Sequence, residues 1–294
     1  MSYRLGIDLG GTKIEAILID DQFQVIERKR VPTMRDDGYS AILKRIIDLA
    51  KDMINAADVD GPIGICTPGA IEPETGLLKN SNTVCLIGQP IQKDMEKELK
   101  IPVLMENDAN CFALAEATIG AAKKYNVVFG VILGTGCGGG ISIHKNIHRG
   151  ANRIAGEWGH HTLYPDGRDC YCGNKGCTES YISGTALEKE WQEISGTFAR
   201  VTDVIDNKLY ESHPEWRSNF ILNFGRAMAN VIDILDPDAI VLGGGLSKID
   251  FLYTDGKESA YSETFSEIVS TPILKNKLGD SGGVFGAAML ADHI

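Results

Sequence analysis

Apolar residues fall in short blocks along the first third of the chain, each closed by glycine, proline or an acidic residue. Tyr3 to Asp8 and Lys13 to Asp20 are apolar stretches of strand length on either side of Gly10-Gly11, and Phe23 to Pro32 follows, so three strands with tight turns are predicted. The period then changes. Between Ala41 and Ala57, Ile42, Ile46, Leu49, Met53 and Ile54 recur at helical spacing and mark an amphipathic helix. Pro62 to Thr67 reads as a short buried strand ending at Pro68-Gly69, and Ile91 to Leu99 as a helix. Val103 to Asn107 reads as a strand running into a helix that starts near Asp108 and continues through Glu116.

The same grammar restarts at Asn126, with a strand to Leu133, a glycine turn from Gly134 to Gly140 and a second strand from Gly140 to His144. Asn219 to Leu235 predicts a helix stopped by Asp236-Pro237-Asp238, and Ala239 to Leu242 a buried strand leading into Gly243-Gly244-Gly245. A last helix, Val284 to Asp292, follows Gly282-Gly283. This weak repeat implies two related α/β lobes facing each other across a cleft, a usual place for a ligand.

Length and composition agree with that plan: 294 residues, 43% hydrophobic and 23% charged, suit a globular protein with two cores. No apolar run approaches the roughly 20 residues that span a bilayer. A net charge of -11 argues against nucleic acid as a partner, because phosphate backbones select a basic face. It leaves room for a nucleotide held by backbone N–H groups and a metal ion.

Three glycine turns follow three strands. In DLGGTK, Asp8 to Lys13, two glycines leave space for a phosphate, Thr12 offers a hydroxyl and Asp8 a carboxylate. Alone, such a pair is most often an ordinary hairpin turn. GTGCGGG, Gly134 to Gly140, supplies a second permissive loop, and Gly243 to Gly245 a third whose N–H groups can face phosphate or ribose. GxxxxGK[ST] is absent, and the GxGxxG spacing of Gly134 to Gly139 leads into a predicted strand instead of the helix of a dinucleotide-binding unit, so the P-loop and dehydrogenase readings fall behind. In ENDAN, Glu106 to Asn110, the ordinary task of Asp108 is to cap the helix. A carboxylate at a strand end opposite phosphate-binding turns is also placed to act as a general base, with Asn107 beside it for hydroxyl groups.

The densest chemistry lies in GEWGHHTLYPDGRDCYCGNKGCTE, Gly156 to Glu179. Cys170, Cys172 and Cys177, separated by Gly173 and Gly176, can aim three sulfurs at one point. His160 or His161 would complete a closed Cys3His zinc site, structural because no coordination position is left open. Plain buried thiols and disulfides are the alternatives. The other four cysteines are scattered, seven is an odd number, and MSYRLGID has no charged-then-apolar leader, so a cytoplasmic protein is expected.

Taken together, DLGGTK, ENDAN, GTGCGGG, GEWGH and CYCGNKGCTE resemble the ROK family of sugar kinases and repressors, over nearly the whole chain and in the family's order. The resemblance implies a two-lobed, actin-like (ribonuclease H-like) ATPase fold with a small zinc-bound loop. Its N-terminal lobe would be 1–120, joined by the C-terminal helix 283–294, and its second lobe 121–282, carrying the zinc segment 156–179. It implies transfer of the ATP γ-phosphoryl group to the 6-hydroxyl of a hexose or N-acetylhexosamine, and a homodimer. Asp108 would be the base. Asn107, Glu157, His160 and Glu179 would bind the sugar, with Gly69, Asn82 and Thr83 from the loop Cys66 to Pro90. Asp8 would position magnesium, while Gly10, Gly11, Thr12, Lys13, Gly134, Thr135 and Gly136 would line the phosphate path, with Gly243 to Gly245 on the nucleotide. The family pattern selects His160 as the zinc histidine, its other ring nitrogen facing a sugar hydroxyl. Fructokinase, mannokinase and N-acetylglucosamine kinase types share Asn107, Asp108, Glu157, His160 and Glu179, while the loop Cys66 to Pro90 with GTGCG, GEWGH and SGT resembles the fructokinases and mannokinases somewhat more closely, so hexose and N-acetylhexosamine both stay open. Two alternatives come with the family. A sugar-sensing regulator would carry a helix-turn-helix ahead of the first glycine turn, which here begins at Asp8. A polyphosphate-dependent kinase would favour an extended basic groove, and no Lys/Arg cluster demands one.

Overall fold

The blocks resolve into two five-stranded mixed sheets of the same connectivity. The computed structural model describes residues 3–57, 59 and 61–293. It opens with β1 (Arg4–Leu9), β2 (Lys13–Ile19) and β3 (Val25–Pro32), an antiparallel meander, followed by α1 (Tyr39–Ala56) and β4 (Ile63–Thr67). A small hairpin, β5 (Ala70–Ile71) with β6 (Leu78–Lys79), precedes α2 (Ile91–Leu99) and β7 (Val103–Asn107). β4 and β7 add in parallel, giving the order β3-β2-β1-β4-β7. β4 is buried at all five positions because both faces are covered. β3 is an edge, and its charged residues Glu27 to Arg30 discourage further strand pairing.

After α3 (Asp108–Thr118) the scheme repeats with β8 (Val127–Leu133), β9 (Cys137–Ile143) and β10 (Asn146–Ile147). Helices α4 (Glu179–Ile182), α5 (Gly184–Ser195), α6 (Val201–Asp206) and α7 (Pro214–Leu235) lead to β11 (Ala239–Gly243), then α8 (Asp255–Glu263), β12 (Ile273–Lys275) and α9 (Gly282–Met289). The second sheet runs β10-β9-β8-β11-β12, again an antiparallel meander extended by two parallel strands.

Each sheet has its own core. Ile42, Ile46 and Met53 of α1 pack on Leu5 and Ile7 of β1, while Trp216, Phe220 and Phe224 of α7 pack on Phe129 and Val131 of β8. Burying each such side chain contributes about 1.5–3 kcal/mol. Between them, α9 lies on β1 and β4, α3 lies on β8 and β9, and the two helices pack against each other. The residue that opens α3 is therefore held by both sheets. Among the described residues no helix is long and apolar enough to cross a membrane.

Some boundaries differ from the sequence reading for identifiable reasons. The second glycine turn is shorter than Gly134 to Gly140, because β9 already begins at Cys137. Gly140 serves packing: a Cβ there would stand 2.4 Å from the Ala109 carbonyl oxygen, so only glycine lets α3 lie this close. α7 starts at Pro214, a residue suited to the first helical turn, instead of Asn219. α4, α5, α6, α8, β5, β6, β10 and β12 are additions. The final helix stops at Met289, and residue 294 of the expected 283–294 segment lies outside the described residues.

Candidate active site

At the end of β7 the chain turns directly into α3, and Asn107 caps that helix. Its Oδ1 accepts from the N–H groups of Ala109 (2.9 Å) and Asn110 (3.3 Å), and its Nδ2 donates to the Gly69 carbonyl at 3.2 Å. The cap expected of Asp108 is thus supplied by its neighbour. Asp108 sits at the first helical position, and its Oδ1 accepts from the Ala109 N–H (2.9 Å). Burial raises its pKa above the ordinary aspartate value, against the pull of the backbone N–H groups.

A cavity of about 330 Å³ opens over this carboxylate and is walled by residues of both sheets. Gly69, Asn82, Asn107 and Asp108 come from the first half of the chain; Gly134, Thr135, Gly136, Glu157, His160 and Glu179 come from the second. Among the walls outside the sequence-predicted set, Asn80 and Tyr171 bring polar side chains. Thr83 is not a wall: it is buried, its hydroxyl 3.4 Å from Asn82 Oδ1. The turn Gly10 to Lys13 and the turn Gly243 to Gly245 also lie outside this lining. The first closes on itself through Gly10 N–H to the Lys13 carbonyl (3.1 Å), with the Lys13 ammonium 3.5 Å from Glu15.

Glu157 and His160 are set in place by Trp158, which lies between them. Trp158 is buried edge-on against Phe129 (5.8 Å between centroids) and donates its indole N–H to the Gly138 carbonyl at 2.9 Å, fixing the short 3-10 turn Trp158–His160. Glu179 opens α4, and its Oε2 accepts the Cys137 N–H at 2.7 Å. Gly136 makes that approach possible, since a Cβ there would fall 2.7 Å from the same oxygen. Glu157 is raised above the usual glutamate value by burial, against the attraction of His160 and with the charges of Asp108 and Glu179 adding. Three carboxylates facing one cavity favour a ligand rich in hydroxyl donors.

Asp8, at the end of β1, stands close enough to Asp108 for the two charges to repel. Burial first, then Asp108, pushes Asp8 up to about 6, while a hydrogen bond from Cys66 opposes the rise. The folded state holds the Asp8 proton more tightly than an unfolded chain with its ordinary value of 3.8. Stability therefore falls as pH rises between about 4 and 6. Asp8→Asn is expected to raise the melting temperature of the ligand-free protein by several degrees at pH 7.5, with the gain vanishing near pH 4. Thermal melts at the two pH values check this; an unchanged or lower value at pH 7.5 contradicts it.

The four expected metal ligands converge. His160 Nδ1 lies 3.7 Å from Cys170 Sγ, Cys172 Sγ lies 3.6 Å from Cys177 Sγ, and all four donor atoms fall within 4.8 Å of one another. Ligands about 2.0–2.3 Å from one tetrahedral zinc are themselves roughly 3.5–3.8 Å apart, so the set fits zinc. A disulfide needs sulfurs about 2.05 Å apart. His161 is otherwise engaged: Nδ1 meets the Trp158 carbonyl (2.7 Å) and Thr178 Oγ1 (3.0 Å), and Nε2 meets Asn230 (2.9 Å). That occupation leaves His160 as the metal-facing histidine.

A match to the ROK family covers residues 4–294. The chain belongs to the ROK family. An N-acetyl-D-glucosamine kinase of Haemophilus influenzae is 37% identical over 97% of this chain and 98% of its own length. Among solved structures, a ROK hexokinase from Thermus thermophilus superposes with a TM-score of 0.89 at 29% identity, covering 99% of this chain and 98% of that one. A ROK glucokinase from Streptomyces griseus, in complex with glucose and AMPPNP, superposes with a TM-score of 0.81 at 27% identity over 99% of both chains.

Proposed function

We propose that this ROK protein transfers the γ-phosphoryl group of ATP to the 6-hydroxyl of N-acetyl-D-glucosamine. It is a carbohydrate kinase. The observation that carries the finer reading is the placement of Asp108, free of the capping role and facing one cavity with Asn107, Glu157, His160, Glu179 and the turn Gly134 to Gly136. Such a cavity holds a polyol through carboxylate and imidazole groups and leaves one carboxylate to take the proton of the attacking hydroxyl. The choice of N-acetylglucosamine rests on the full-length relatives of that name.

In this proposal 1–120 with 283–294 form one lobe and 121–282 the other of a two-lobed, actin-like ATPase, with the nucleotide between the glycine turns. Asp8 would hold magnesium, which relieves the repulsion between Asp8 and Asp108 and neutralises phosphate charge. Asn107 and Glu157 orient the sugar, Asp108 removes the proton, and the turn 134–136 presents N–H groups to phosphate. His160 and the three cysteines would hold zinc, which fixes the ring orientation and tautomer of His160.

ADP release measured with N-acetylglucosamine, N-acetylmannosamine, glucose, mannose and fructose tests the reading. Turnover is expected only with sugar present, with kcat/KM for N-acetylglucosamine about tenfold or more above the others. ADP release independent of sugar overturns the kinase assignment; a plain hexose used faster than N-acetylglucosamine overturns the choice of sugar.

A further inference from the structure

The loop between two of the candidate metal ligands carries an aromatic side chain, Tyr171, at the rim of the cavity. Tyr171 lies between Cys170 and Cys172 and is 82% exposed, yet its hydroxyl reaches His160 Nε2 at 3.0 Å. The two rings meet edge to face, 5.2 Å apart. Tyr171 also borders both the sugar cavity and a neighbouring one that contains Thr135, Gly136 and Glu179. Nδ1 of His160 faces the sulfurs, so Nε2 is the one ring nitrogen left for a ligand, and it has a single hydrogen-bonding position. The tyrosine hydroxyl fills it.

Building on the sugar-kinase reading, we propose that Tyr171 is a specificity-determining placeholder, whose hydroxyl occupies the His160 Nε2 position in the sugar-free protein and is displaced by one particular sugar hydroxyl. The exchange involves no covalent change: one O–H group replaces another on the same nitrogen. An exposed side chain with one edge contact rotates away freely on a nanosecond timescale, while ligation of Cys170 and Cys172 holds the backbone still. A sugar with a hydroxyl at the matching position replaces the lost bond. A sugar without it leaves Tyr171 in place and forgoes the contact. Discrimination thus falls on the hydroxyl facing His160.

The test is calorimetric titration of the zinc-loaded wild type and Tyr171→Phe, without ATP, using N-acetylglucosamine and its monodeoxy analogues. The variant keeps the ring and loses only the competing hydroxyl, so it is expected to bind N-acetylglucosamine about 2- to 10-fold more tightly, the worth of one hydrogen bond. One analogue, lacking the hydroxyl that meets His160, is expected to bind both proteins equally. Equal or weaker binding of N-acetylglucosamine by the variant overturns the proposal, as does a uniform gain across every analogue. A wild-type protein that binds none of these sugars overturns the choice of N-acetylglucosamine on which the proposal rests.

Discussion

Asp108→Asn is expected to lower kcat for N-acetylglucosamine by about 10²- to 10⁴-fold, the range that a positioned general base contributes. The expected change in sugar Kd is less than about threefold. Asparagine has nearly the same shape, keeps an oxygen to accept the Ala109 N–H, and leaves the helix cap on Asn107 untouched. It lacks only the charge and the ability to take a proton. The fold should be spared, because the substitution also removes a repulsion felt by Asp8. Steady-state kinetics paired with sugar titration separate the effects: lost turnover with retained binding supports the base, and wild-type turnover returns Asp108 to a structural position.

Cys177→Ser carries the second large effect. Wild-type protein is expected to hold about one zinc per chain, and the variant to lose it. Cys177 is fully buried, with its sulfur 3.5 Å from the His160 carbonyl oxygen, and it precedes Glu179 by two residues. Loss of the ion frees the loop that carries Glu179 and releases the His160 ring, so the sugar KM is expected to rise about 10- to 100-fold with a lowered melting temperature. Metal analysis and sugar titration on the same preparation decide it; unchanged zinc content and unchanged affinity contradict the bracing role.

Residues that act through type and spacing are legible in the sequence. The strand ends at Asn107 and Thr67, the amphipathic face of α1 and the Cys170-Cys172-Cys177 set follow from period, turn chemistry and ligand softness. Residues that act through tertiary distance are not. Nothing local says that Gly139 belongs to a strand, because its reason is the close approach of the Gly156 carbonyl, 17 positions later. Asn107 and Asp108 are equally good caps by type, and only the bonds of the folded turn show that Asn107 takes the role. Thr83 reads as a polar loop residue, yet it is buried behind Asn82. His161 is separated from His160 by its contact with Asn230 on α7, 69 residues away. Tyr171 had one signal, a lone aromatic between two metal ligands, and its meaning appears only when its hydroxyl is seen on His160.

The most direct test of the central claim is sugar-dependent ADP release measured side by side for wild type and Asp108→Asn at matched zinc content. Expected are wild-type turnover that requires sugar and prefers N-acetylglucosamine, and a variant that binds the sugar with turnover reduced at least about 100-fold. Turnover without sugar, or a variant as fast as the wild type, would contradict it.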